Sequence, residues 1–382
     1  LVCNLPVVTR RLATNLDRCF DVLELFAFVR PAEFCLPLPL GLAQALNLPP
    51  MDDSHEDEAF VLLKSAEILL SELKANDYAY PDGINSIGFN MTEAGWRWGP
   101  LVMGALGGAE KLDGYQVWNH LSEWEEKAPP PPPGQDNIST DEARKRLIDL
   151  LGLDAEKREG QILYAESASH AFSMPQDEEP SLVLSEAGTG IGKTLGYIAP
   201  SSLWAEKNGG TVWLSTYTKN LQRQLDQEMD RLYPNSTVKK QKVVVRKGRE
   251  NYLCLLNLQE ISGQAAQSRG KILLGLVQRW VKYSRDGDMI GGDFPAWLGE
   301  TFGLGRLSQL TDRRGECVYA ACSHYKKCFI EKAQRKAKYA NLVIANHALV
   351  MVQSATRQGE QDLPSRYVFD EGHHLFDAAD NV

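Results

Sequence analysis

Beyond about residue 180, short apolar runs alternate along the chain with stretches of helical spacing. Residues 182–184, 212–214, 243–245, 342–345 and 367–369 are nearly continuous hydrophobic runs of strand length. Strands of that kind, separated by helices, predict a parallel sheet covered on both faces. One interval, roughly 250–335, breaks the rhythm and is expected to be an insertion. Ahead of the strands, Ser139 with Glu142 three residues on forms a capping-box pattern. It opens a helix that should turn Ala143, Leu147, Ile148 and Leu151 inward and stop at Gly152.

The clearest boundary lies just before that helix. Pro129 to Pro133 are five consecutive prolines, preceded by a charged run over 123–127 and followed by Gly134. Proline has no amide proton to give to a ladder, so the run favours an extended, semi-rigid linker. The expected division is a smaller α+β N-terminal region over 1–125, a linker over 126–140 and an α/β domain over 141–382. No internal repeat is visible.

Composition narrows the function classes. A chain of 382 residues, 43% hydrophobic, can bury ordinary cores in two or three domains. The formal charge of -9 argues against coating nucleic acid by bulk attraction and leaves room for a local basic groove. No apolar run reaches the roughly 18 to 20 residues a membrane span needs, and the first residues do not read as a secretory leader, so a cytoplasmic location without membrane partners is expected. The chain opens at Leu1 rather than Met, which suggests a missing N-terminal piece. Seven cysteines without a leader are a prompt to look for metal or redox chemistry.

Directly after the run at 182–184 comes Ser185-Glu186-Ala187-Gly188-Thr189-Gly190-Ile191-Gly192-Lys193-Thr194, followed by a helical pattern. Glycines at this spacing let backbone N–H groups converge on phosphates at a helix N-terminus, where the dipole also favours negative charge. Lys193 would neutralise the β- and γ-phosphate oxygens of ATP, and the Thr194 hydroxyl would ligate Mg²⁺. Ala187 stands where the usual pattern has glycine. A matching acidic element is Val368-Phe369-Asp370-Glu371-Gly372-His373 at a strand end. Asp370 would hold the Mg²⁺ shell, Glu371 would orient and deprotonate the attacking water, and His373 would report the γ-phosphate state. The neighbouring His374 carries no expected role. The plainer alternative is a strand-to-loop turn with exposed acids.

The cysteines make the pattern more specific. Cys254 follows Arg246-Lys247-Gly248-Arg249-Glu250-Asn251-Tyr252-Leu253, and Cys317, Cys322 and Cys328 come later, separated by four and five residues. Four thiolates from one insertion suit an iron–sulphur cluster or a tetrahedral zinc, and their spacing does not separate the two; the lack of a close C-x-x-C pair weighs against zinc. Together with Asn346-His347-Ala348-Leu349 and the Asp-Glu-Gly-His box, residues 141–382 resemble the iron–sulphur branch of the superfamily 2 DExH helicases, the DinG and XPD group. The resemblance implies a RecA-like P-loop domain whose insertion holds a [4Fe-4S] cluster on Cys254, Cys317, Cys322 and Cys328. Cys3, Cys19 and Cys35 read as ordinary small apolar residues.

Further assignments follow from the same resemblance. Arg158 and Gln161 resemble the pair that reads adenine, for which glutamine offers a donor and an acceptor, although such a pair by itself is usually a solvated helix face. Ser215, Thr216, Thr218 and Gln222 resemble a motif that touches single-strand phosphates, although short hydroxyls there could equally cap a helix. Lys326 and Lys327 begin a basic stretch, continued by Lys332, Arg335, Lys336 and Lys338, that suits a phosphate backbone or a solvated helix face. The implied activity is ATP-driven 5′ to 3′ translocation on single-stranded DNA with unwinding at duplex junctions, by a monomer. The chain stops twelve residues after Asp370, so motifs of a second motor domain are absent and feeble hydrolysis is expected.

Residues 1–125 faintly resemble the late part of a DnaQ-type exonuclease through residues 20–25 and 41–46. The candidate His55 is followed five residues later by Phe60 rather than a carboxylate, which points to an inactive remnant. Trp96, Trp98, Trp118 and Trp124 could stack on bases, but read first as core residues. Two other classes remain open: a nucleotide-dependent DNA-binding module that never turns over, and an exonuclease fused to a motor.

Overall fold

A computed structural model describes the chain except residues 17, 50–53, 109–114, 153–155, 157, 174–180, 189, 265–267, 314, 357–365 and 381–382. It divides into two compact units. One comprises Leu1–Trp124 with Arg249–Glu331, the other Glu125–Gly248 with Lys332–Val382.

The second unit is built on a parallel sheet of β1 (Val212–Thr216), β2 (Val243–Val245), β3 (Leu342–Asn346) and β4 (Arg366–Phe369), in the order β2-β3-β1-β4. The strand period of two sorts its side chains between two cores. Val212, Leu214, Leu342 and Ile344 face helices Lys193–Asn208 and Lys219–Leu232 through Leu195, Ile198, Leu225 and Met229. Trp213, Val343 and Ala345 face the opposite way, with Val350 of helix His347–Thr356 and half-buried Tyr367. The helix Thr140–Leu151 starts with the expected capping box and ends at Gly152, held at φ 84°. Its inward face differs by one position: Leu150 is buried and Ile148 is exposed.

One expected strand is absent. Residues 182–184 are outside the sheet, with Leu182 80% and Leu184 87% exposed, and β4, whose residues are only half-buried, lies at the sheet edge. The run is three residues long between Ser181 and Ser185-Glu186, so it has little apolar surface to repay its ordering.

The first unit is helical among the described residues, and an isolated bridge between Val2 and Asp21 is all the N-terminal region shows of the expected β component. Helix Val22–Val29 is apolar except for Glu24, so it is buried nearly all round rather than on one stripe. Asp21 caps it, accepting from the amides of Leu23, Asn4 and Leu5. Helix Ser268–Tyr283 packs on Val22–Val29 and on Ile84–Glu93. Gly275 permits the close approach, since a Cβ there would stand 2.4 Å from the sulphur of Met91. Fully buried Arg279 donates to the carbonyls of Phe28, Tyr80 and Asp82 and to the Tyr78 hydroxyl, at 2.9 to 3.0 Å. Residues 268–283 lie in the expected insertion and residues 22–93 in the expected N-terminal region, so the compact units cut across that division of the sequence.

Trp96, Trp98 and Trp118 are buried, and Trp124 donates to the Tyr325 carbonyl at 2.9 Å. The four tryptophans are therefore packing residues. Among the described residues no helix is long and apolar enough to cross a membrane.

Candidate active site

The glycine-rich loop enters helix Lys193–Asn208 through Gly190 at φ 81° and Gly192 at φ 89°. Both values are left-handed, which glycine adopts without a Cβ penalty. Gly192 is fixed a second way, because a Cβ there would come within 2.3 Å of the Gln161 amide nitrogen. That amide donates to the Gly192 carbonyl at 2.9 Å, and the Arg158 guanidinium donates to the Gly190 carbonyl at 2.6 Å. Arg158 and Gln161 therefore both border the loop. Thr189 lies outside the described residues; Ala187, Gly188 and Ile191 lead up to the helix.

The acidic residues meet the loop across the sheet end. The Asp370 amide donates to the Ser215 carbonyl at 2.8 Å, which continues the β1–β4 ladder and places Asp370 and Glu371 beyond the strand. Lys193 Nζ pairs with Glu371 Oε1 at 3.3 Å, and His373 Nδ1 lies 3.5 Å from Glu371 Oε2. The Tyr197 hydroxyl donates to Asp370 Oδ2 at 3.3 Å and also contacts the Thr194 hydroxyl. Burial, then the charge of Glu371, pushes the Asp370 carboxyl above its ordinary range. Glu371 itself sits at φ 56°, ψ 48°, a left-handed conformation that costs a non-glycine residue roughly 1–2 kcal/mol. Tyr197 was missed by sequence reasoning. Its signal is its position four residues after Lys193, which puts both on one helix face.

The expected single-strand motif splits in two. Ser215, Thr216 and Gln222 are buried: Ser215 Oγ bonds His347 Nδ1 at 2.7 Å, Thr216 donates to the Thr218 carbonyl at 3.3 Å, and Gln222 donates to the Arg246 carbonyl at 3.3 Å. Thr218 is exposed and caps helix Lys219–Leu232 by accepting from the Leu221 amide at 3.2 Å. The groups this loop offers to solvent are Tyr217, Thr218 and Lys219.

In the other unit, Cys254, Cys317, Cys322 and Cys328 line one pocket together with Arg249, Asp312 and Tyr319. Arg249 pairs with Asp312 at 2.6 Å and lies over the Tyr319 ring at 4.9 Å, and the Tyr319 amide donates to Cys317 Sγ at 3.4 Å. Burial pushes the Cys328 thiol up to about 11 and raises Cys254 as well. Among the described residues no three His, Cys, Asp or Glu side chains are gathered closely enough for a single metal ion. Lys326 is exposed; Lys327 reaches the Asn119 carbonyl at 3.5 Å. His55 is fully exposed, 3.7 Å from Glu58.

No protein-family model matches the chain. The ATP-dependent DNA helicase YoaA of Haemophilus influenzae is 33% identical to it over 228 residues, covering 55% of this chain and 32% of the relative. YoaA of Escherichia coli is 34% identical over 213 residues, 51% of this chain and 30% of the relative. A Bacillus subtilis protein named 3'-5' exonuclease DinG is 28% identical over 232 residues, 59% of this chain and 23% of the relative. The chain spans a third or less of the length of these curated relatives. Over about half of its own length, then, the chain is similar to proteins named as DinG and YoaA ATP-dependent helicases.

Proposed function

We propose that the chain carries the ATP-binding motor domain of a DinG-type DNA helicase, an enzyme that couples Mg²⁺-dependent ATP hydrolysis to 5′ to 3′ movement on single-stranded DNA. The observation that carries this reading is the 3.3 Å pairing of Lys193 with Glu371, beside Tyr197, whose hydroxyl touches both Thr194 and Asp370. A phosphate-binding lysine and an acid suited to activate water are thus already face to face.

A triphosphate on the loop gives Lys193 a stronger partner than one carboxylate, since phosphate oxygens accept charge-assisted bonds from Lys193 and from the loop amides together. Glu371 is then released to orient water and take its proton. Thr194 and Asp370 would hold Mg²⁺, which neutralises charge on the phosphate oxygens. Such an ion takes one or two carboxylates and completes its shell with phosphate and water, so a dense protein cage is not required.

Cys254, Cys317, Cys322 and Cys328 would hold a [4Fe-4S] cluster. Four thiols line one pocket, which fits a group held by four thiolates. The cluster's contribution would be structural, tying residue 254 to the 317–328 segment. Within the second unit the exposed loop 217–219 is a candidate DNA contact, and within the first unit Lys326 and Lys327, next to Cys328, are another.

Titration calorimetry with a non-hydrolysable ATP analogue tests the site. Wild type should bind only with Mg²⁺ present, and Lys193→Ala should weaken binding about tenfold or more, the loss expected for hydrogen bonds to a charged group. Equal affinity in the variant would remove the reading. Analogue binding together with no hydrolysis when ATP itself is supplied, with or without DNA, would favour a nucleotide-dependent binding module instead.

A further inference from the structure

Tyr217 stands between the two threonines at the end of β1 and is 42% exposed. One face of its ring lies on the imidazole of His374, with centroids 3.8 Å apart and planes 12° from parallel. His374 ends the turn Gly372–His374 that follows the acidic pair, and its amide donates to the Glu371 carbonyl at 3.0 Å. Its ring also lies 4.0 Å from that of His373, which faces the Glu371 carboxylate. Beneath the stack, buried His347 joins Ser215 by a 2.7 Å hydrogen bond and packs against Phe369, the residue before Asp370. The loop after β1 and the turn carrying Glu371 are therefore connected by ring contact above and by His347 below.

We propose that the Tyr217–His374 stack is the positioning element that couples an unpaired nucleobase at the loop after β1 to the geometry of Glu371. Neither residue touches ATP in this scheme. A base stacking on the exposed part of Tyr217 holds that ring, the ring holds His374, and His374 holds the turn that keeps Glu371 in its left-handed conformation. Stacking on an aromatic side chain is tolerant of base identity, which suits a motor that must act on any sequence. His347 keeps the two backbones in register whether or not a base is bound.

The inference rests on the helicase reading above, and the test separates the two. The quantity to measure is the ratio of affinities for a Mg²⁺-loaded non-hydrolysable ATP analogue with and without saturating oligothymidylate. Linkage makes this ratio equal to the effect of nucleotide on DNA affinity, and a change in either affinity alone cancels from it. Wild type should show a ratio in the 5- to 150-fold range usual for coupled sites. Tyr217→Ala and His374→Ala should each bring it to within about twofold of unity, and the double variant should be no lower, because both remove one contact. Tyr217→Phe and His374→Phe, which keep a ring, should retain most of the coupling. Alanine variants that bind DNA and keep the wild-type ratio would overturn the proposal, as would a wild-type ratio of one, while leaving the helicase reading in place. Wild type that binds no nucleotide would remove the helicase reading and this inference with it.

Discussion

Lys193 and Glu371 are 178 positions apart, and the fold brings them together because a parallel strand must end on the same side of the sheet as the helix N-terminus it faces. Their pairing predicts how each fails. Glu371→Gln keeps size and shape but cannot take a proton, so turnover should fall by about 10² to 10⁴, the range for loss of a general base, while nucleotide affinity changes far less. Steady-state kinetics with separate kcat and KM checks this, and a variant that loses affinity and keeps kcat would assign Glu371 to binding. At this scale the sequence was legible where chemistry depends on local backbone. Gly190, Gly192, Lys193, Thr194, Asp370 and Glu371 could all be named from spacing, because left-handed glycines and a helix N-terminus are local demands. Tyr197 on Asp370, Ser215 on His347 and Tyr217 on His374 were not legible. Each depends on a partner more than 100 positions away, and hydroxyl and aromatic side chains carry no periodic signal of their own.

Elements were legible in proportion to the apolar surface they bury. The runs at 212–214, 243–245, 342–345 and 367–369 became β1 to β4, whereas 182–184, flanked by polar residues, did not join the sheet. In the first unit, helix Val22–Val29 carries its one acid, Glu24, among apolar neighbours. Burial and the nearby Asp21 push that carboxyl up to about 7, opposed by the Trp96 indole, which donates to it at 2.9 Å. A folded value above the unfolded one means that the native state holds the extra proton. Stability from this group is therefore complete below about pH 4.5 and is lost as pH rises through 7. Glu24→Gln retains an acceptor for Trp96 without the charge. Its thermal midpoint should exceed wild type at pH 8 and match it near pH 4.5. A gain that is the same at both pH values would show that titration of Glu24 is not the cause.

At the scale of the whole molecule, the parallel sheet was more legible in the sequence than the partition into compact units. The proline run marks a composition change, yet the compact units are discontinuous: residues 1–124 join 249–331 through contacts such as those of Arg279, which no local pattern announces. The four cysteines fall inside that composite unit. Anaerobically purified protein should contain about four iron and four sulphide per chain, and Cys254→Ser should lose the iron and lower the thermal midpoint. One equivalent of zinc and no iron would replace the cluster with a structural ion.

The central claim is that one site joins ATP to single-stranded DNA, and the most direct measurement is ATP hydrolysis by anaerobically purified protein with and without oligothymidylate, with Lys193→Ala as the blank. The account predicts turnover that is weak in this chain, rises with DNA in wild type and stays at background in the variant. Turnover indifferent to DNA, or equal in Lys193→Ala, would contradict it.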